Sequence, residues 1–311
     1  MTEGSDTGLG PVQTVQTDVL QIGYIDVGER SGPCVALLHG FPYDVHSFEA
    51  VVPRLTALGF RVIVPYLRGH GPTRFLSSTQ FRSGQQGALG ADVIALLDAL
   101  TIDNATLAGF DWGGRAACVA AAVWPHRVNA LVSVNGYLIQ DIKNAMTPIR
   151  PDLEAGLWYF FYFLTERGRA GLTRNRKQIA EVIWRRNSPL WAFDDTTLDR
   201  AARAFCNDDY VEVVLHSYRH RLGAVEGDPR YASIEALLAG QPSIPVPCVT
   251  LDGEADGNFP ATDGRSTAAH FSGPRRHHQV ADAGHNLPQE APEAFVAAIL
   301  EARELRPGHR G

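Results

Sequence analysis

Apolar residues along this chain recur in two alternating patterns. Short continuous runs such as Cys34–Leu38 (CVALL), Arg61–Pro65 (RVIVP) and Ala105–Ala108 (ATLA) read as strands buried on both faces of a parallel sheet. Between them, Pro53 opens a short helix that ends at Gly59, and Val93, Leu96, Leu97 and Leu100 recur at helical spacing. Val19–Val27 reads as a strand of a first hairpin, and the residues up to about Thr17 as a loose tail. After Ala116–Val123, a small-residue helix able to lie close on a sheet, Ala130–Val134 is a further buried strand. The alternation then stops. From Tyr137 to about Ser243 the sequence is helical and aromatic, including the run Trp158–Phe163, and strands resume at Val246–Leu251 and His278–Ala281 before a closing helix opened by Pro292. The pattern predicts an α/β fold, a mostly parallel sheet flanked by helices. The tail spans 1–17, the core 18–136 and 244–311, and an inserted helical cap 137–243.

Composition narrows the function classes. With 45% hydrophobic residues among 311, the chain can bury a large core. The 28 basic and 34 acidic residues give a net charge of −6 with no basic block, which argues against nucleic acid as a partner. Cys34, Cys118, Cys206 and Cys248 are widely spaced and read as reduced, buried, small hydrophobes. Residues 1–17 have no apolar signal core, and Leu157–Leu164 is too short to span a bilayer. A cytoplasmic protein without a membrane partner is expected. No metal-ligand cluster, phosphate loop or dinucleotide fingerprint is present, so the expected cofactor set is empty.

The stretch that organises the chemistry is Gly109-Phe110-Asp111-Trp112-Gly113-Gly114, where a strand pattern meets a helical one. Its layout is that of the nucleophile elbow G-x-S-x-G, with a carboxylate in place of serine. A carboxylate attacking a carbonyl would give an unstable anhydride; attacking a saturated carbon with a leaving group, it gives an ordinary ester. The bland reading makes Asp111 a helix N-cap among turn glycines. Two later loops, Asp252–Asp256 and Asp282–Asn286, follow resumed strands. The order Asp111, Asp256, His285 is nucleophile, acid, histidine, the order of hydrolase triads that the fold assembles from distant segments. Asp252 competes with Asp256 for the acid, and His285 taken alone is one of eleven histidines.

Together with His39-Gly40-Phe41-Pro42, the elbow string resembles the epoxide hydrolase and haloalkane dehalogenase branch of the α/β-hydrolases. The resemblance implies that Asp111 opens the substrate at carbon. His285, oriented by Asp256, then activates water against the ester, and the backbone amides of Phe41 and Trp112 form the oxyanion hole. The family's G-E-x-D pattern falls on Gly253, Glu254 and Asp256, which favours Asp256 over Asp252, and its H-G-x-P turn implies a cis bond before Pro42. For an epoxide, two cap tyrosines protonate the leaving oxygen. The matching positions are Tyr159, with Tyr162 as the fallback, and Tyr218 in Leu215-His216-Ser217-Tyr218-Arg219. The tyrosine run also reads as simple packing. His39, Pro42, Phe161 and Tyr162 complete the expected substrate contacts, and the expected partners are water and a small apolar epoxide. The alternative is a dehalogenase. Trp112 matches its halide-binding tryptophan, Phe41 stands where many carry asparagine, and Trp158 or Trp191 could substitute. Fluoroacetate dehalogenases resemble the chain at Arg115 alone, and Phe110 replaces the histidine usual before the nucleophile. A non-catalytic binding protein would tolerate loss of Asp111, Asp256 or His285, yet all three positions are filled.

Overall fold

The computed structural model describes residues 8–305. Among the described residues one sheet holds nine strands: β1 (Val12–Gln16), β2 (Leu20–Gly28), β3 (Cys34–Leu38), β4 (Arg61–Pro65), β5 (Arg74–Phe75), β6 (Ala105–Gly109), β7 (Val128–Val134), β8 (Cys248–Gly253) and β9 (Arg275–Val280). Their spatial order is β1-β2-β4-β3-β6-β7-β8-β9, with β5 on β2. The first strands pair antiparallel; from β4 across to β9 every pair is parallel. β3 and β6 are buried along their whole length, as their unbroken apolar runs require. β9 lies at the edge, and its sequence RRHHQV is correspondingly polar.

Helices Val51–Ala57 and Pro292–Glu304 pack together on one face, Gln86–Ala99 and Asp111–Val123 on the other. The run Ala116–Ala121 in the latter is fully buried, since its small side chains let the helix sit close to β6 and β7. Between β7 and β8 the chain forms helices from Pro151–Gly156 to Ala232–Leu238 and no strand among the described residues. Hydrogen bonds from Asn207 Nδ2 to the carbonyls of Gly71 and Thr73, at 2.9 and 2.8 Å, stitch this insertion to the loop after β4.

Two expectations change. The tail is shorter than 1–17, because Val12–Gln16 pairs antiparallel with β2 and packs Val12 and Val15 against the core. Its alternation is too short and too rich in Gln and Thr to stand out, and Met1–Thr7 lie outside the described residues. Cys206 is exposed at the surface of the insertion, whereas Cys34, Cys118 and Cys248 are buried. No helix among the described residues is long and apolar enough to cross a membrane.

Chain order and spatial order part at β3. The chain leaves β3 for β4 on one side and returns to β6 on the other. A crevice opens at the carboxyl ends of strands where the order reverses in this way. The loop after β3 begins at His39 and that after β6 at Asp111, and the pairing Leu38↔Gly109 brings them level.

Candidate active site

Asp111 begins the helix Asp111–Val123 with φ at 49°, in the left-handed region that a side chain with a β-carbon enters at a cost of about 1–2 kcal/mol. Close packing enforces the turn. A β-carbon on Gly113 would sit 2.0 Å from the Leu38 carbonyl oxygen, and one on Gly40 would sit 2.6 Å from the Asp111 β-carbon. The carboxylate is thereby pressed against the loop after β3. The Phe41 amide donates to Asp111 Oδ1 at 2.7 Å, and the Phe41–Pro42 bond is cis.

On the other side stands His285. Its Nε2 lies 3.7 Å from Asp111 Oδ2, and its Nδ1 donates to Asp256 Oδ2 at 2.8 Å. Asp256 Oδ1 accepts from the amides of Asn258 and Phe259 at 2.8 and 2.9 Å, and Asn135 Nδ2 reaches Oδ2 at 3.2 Å. Asp252 is turned elsewhere, accepting from the amide and hydroxyl of Thr262. Of the two candidate acids, Asp256 is the one at His285. The histidine loop is held by groups that sequence patterns did not single out. Ser188 Oγ accepts from the His285 amide at 3.1 Å and donates to Glu290, whose carboxylate also takes the amides of Gly284 and Asn286. Asn135 carried a weak signal, an Asn-Gly pair at the end of a buried strand; Ser188 and Glu290 carried none.

Burial alone would strip the charge from His285, but the Asp256 and Asp111 carboxylates outweigh it and push its pKa up to about 10. Burial likewise works against the Asp111 charge, yet His285, then Arg115 and the Phe41 amide, hold its carboxyl below the usual carboxylate range. Both shifts favour an imidazolium facing a carboxylate.

Tyr159 and Tyr218 are buried and meet edge to face, with ring centroids 5.4 Å apart. Both pack on Phe41, at 6.4 and 5.4 Å, and Tyr218 lies 5.9 Å from Trp112. Burial pushes both phenols up, and the Asp111 charge pushes the same way, so both stay protonated. Tyr162 is not in this group, because its hydroxyl lies at Gly171 of the next helix. Phe161, expected at the substrate, is 47% exposed: two residues from Tyr159 on one short helix, it points about 200° away. Phe160 and Phe163 line the tyrosine pair instead, at 4.9 and 5.3 Å from Tyr218.

His39 also departs from expectation. Nδ1 donates to the Gly40 carbonyl at 2.9 Å and Nε2 accepts from the Leu67 amide at 3.1 Å, so neither nitrogen is left for a substrate. Burial and neighbouring His70 pull its pKa down to about 3, and the ring acts as a neutral brace under the loop after β3. The Pro42 carbonyl accepts from Trp184 Nε1 at 2.8 Å, which ties helix Arg176–Asn187 to the same loop. Trp158 packs on Tyr159 and Tyr162, and Trp191 on Trp184 and Phe193. Trp112 stacks on Phe41 at 5.4 Å, and its buried Nε1 has no hydrogen-bond partner among the described residues. Phe110 packs edge to face on Tyr43 and His285 behind the elbow.

Comparison with known proteins agrees with this fold. A family model described as alpha/beta hydrolase fold matches residues 33–292. A candidate epoxide hydrolase from Klebsiella pneumoniae, known from its crystal structure, is 46% identical; the match covers 96% of this chain and 100% of that one, with a TM-score of 0.93. Epoxide hydrolase A of Mycobacterium tuberculosis is 26% identical over 313 residues, 92% of this chain and 95% of its own. A haloalkane dehalogenase of Mycobacterium marinum is 34% identical over 131 residues, 41% of this chain and 42% of its own. The chain belongs to the α/β-hydrolase-fold family, in the branch whose members include epoxide hydrolases and haloalkane dehalogenases.

Proposed function

We propose that this protein hydrolyses an epoxide to a vicinal diol through an ester on Asp111. The observation that carries the reading is the buried tyrosine pair, Tyr159 and Tyr218, packed on the residue whose amide holds Asp111. Ring opening develops an alkoxide, a poor leaving group unless protonated, and two phenols held protonated are suited to that task.

Asp111 Oδ2 attacks an epoxide carbon, the carbon–oxygen bond breaks, and the oxygen takes a tyrosine proton. The ester has consumed the Asp111 charge, one of the two anions that keep His285 protonated. His285 then releases its proton to the tyrosinate and becomes a neutral base. It takes a proton from water, the hydroxide attacks the ester carbonyl, and the Phe41 and Trp112 amides hold the oxyanion. Collapse expels the alkoxide, which takes the proton of the added hydroxyl to complete the diol, and restores imidazolium and carboxylate, so every proton is accounted for within one turnover.

The test is covalent capture. His285→Gln leaves ring opening intact and removes the base, so incubation with styrene oxide adds one substrate mass to the peptide that contains Asp111. A variant that stays unmodified, while the wild type turns the epoxide over, overturns the ester mechanism. A second reading, alkyl halide cleavage by the same nucleophile, is favoured by the unpartnered Trp112 Nε1, a donor suited to a departing halide.

A further inference from the structure

The helix Arg176–Asn187 of the insertion ends against two loops of the site. The last carbonyls of a helix have no partner inside it and must find one outside. That of Asn187 accepts from the amide of Gly257, the residue after Asp256, at 3.0 Å and from the amide of His285 at 3.2 Å. Ser188, the next residue, accepts from the same His285 amide at 3.1 Å and from the Asn286 amide at 3.3 Å. Its own hydroxyl donates to Glu290 Oε1 at 2.6 Å. Glu290 turns the rest of its carboxylate to the same loop, accepting from the amides of Gly284 at 2.8 Å and Asn286 at 3.1 Å.

The approach is as close as backbone allows. A β-carbon on Gly257 would sit 1.9 Å from the Arg186 carbonyl oxygen, and one on Gly284 would sit 2.7 Å from the Ser188 α-carbon. Both loops therefore carry glycine where the helix end meets them. One turn back, Trp184 donates to the Pro42 carbonyl, so a single helix of the insertion is tied to the loops of Phe41, Asp256 and His285. Tyr159 and Tyr218 belong to two other helices.

The two chemical steps lean on different parts of this framework. Ring opening uses Asp111 and the tyrosines, whereas ester hydrolysis adds the His285 ring, which has to aim a water at the ester carbonyl. Asp256 grips that ring at Nδ1; the backbone that carries it is gripped from the insertion, by Ser188 and Asn187. A group misplaced by about 1 Å can lose on the order of 10²-fold in rate.

We propose that Ser188, with Glu290 behind it, is a positioning residue for the second step alone: it fixes the backbone of the base, so that ester hydrolysis depends on this helix end and ring opening does not. The proposal rests on the ester mechanism given above.

Single-turnover rapid quench with styrene oxide, read by the mass of the full-length protein, follows formation and decay of the ester separately. In Ser188→Ala the ester should form at the wild-type rate and decay about 10- to 100-fold more slowly, so that it accumulates. Ser188→Thr, which keeps the hydroxyl, should restore most of the decay rate. Glu290→Gln should resemble Ser188→Ala, because its amide sets a donor against one of the three donors that the carboxylate accepts. Formation measured in the same protein reports whether each variant is folded. Decay at the wild-type rate in Ser188→Ala, or formation and decay slowed by one common factor in both variants, overturns the positioning role. Absence of any ester in His285→Gln, while the wild type turns the epoxide over, overturns the ester mechanism instead.

Discussion

At the scale of the residue, two partners 3.7 Å apart set each other's charge. Because Asp111 is ionised down past the ordinary carboxylate range and the tyrosines stay protonated, the alkylation rate should be flat from about pH 5 to about pH 9. Ester hydrolysis behaves differently. It requires neutral His285, whose pKa drops below about 10 once Asp111 is esterified, so this step alone should slow about tenfold per unit on the acid side of its limb. Single-turnover stopped-flow kinetics separates the two, and one shared acid limb for both steps would rule out the charge exchange. The elbow was legible in the sequence because its glycines are steric necessities: nothing larger fits beside the Leu38 carbonyl. His39 was misread for a converse reason. It sits in the loop whose Phe41 amide donates to Asp111, but which way its nitrogens face is decided by Leu67, 28 residues on.

At the scale of the element, the site is a meeting of strand ends with helices of the insertion. β3, β6, β7, β8 and β9 deliver the loop at Phe41, Asp111, Asn135, Asp256 and His285 in turn, and the apolar runs of the first four made that delivery readable. β9 was caught only at its end, since an edge strand need not be apolar. The insertion was harder to read. Helicity and aromatic content were visible, but the rotation of the short helix Trp158–Tyr162, which turns Tyr159 inward and Phe161 outward, depends on packing against Tyr218 from a helix some fifty residues later. The two tyrosines come from different helices, so in the proposed ring opening each would donate without the other. Replacing either with Phe should slow epoxide opening by up to about 10²-fold, and replacing both should nearly abolish it. Burst kinetics with styrene oxide measures this step. The double variant should still cleave an alkyl bromide if that second reaction exists, because bromide leaves unprotonated; undiminished epoxide opening in the double variant would remove the tyrosines from the mechanism.

At the scale of the whole molecule, the same groups shape stability. His39 and His70 are buried neutral, with pKa values pulled down by burial to about 3 and 4. The unfolded chain takes up their protons below about pH 6.5, so they weaken the fold as pH falls through that value. His285 works in the opposite sense. Its folded pKa of about 10 lies above the unfolded value near 6.5, so its stabilisation is fully present below pH 6.5, shrinks as pH rises and is gone above about 10. The loss is on the order of a few kcal/mol, which for a chain of this size means several degrees of melting temperature. Cys34, pushed up to about 12 by burial, adds a loss of its own only above the ordinary thiol value near 8.5, which leaves pH 6.5–8.5 as a window belonging to His285. Across that window the wild type should lose melting temperature steadily, while His285→Gln, lacking the group that holds the extra proton, should melt at a nearly constant temperature. Asp111→Asn should fall between them, since it removes one of the two carboxylates that raise the histidine and leaves Asp256 in place. Parallel slopes for all three proteins in a calorimetric scan would mean that His285 is not charged in the resting fold, and the proton exchange proposed for the reaction would fail with it.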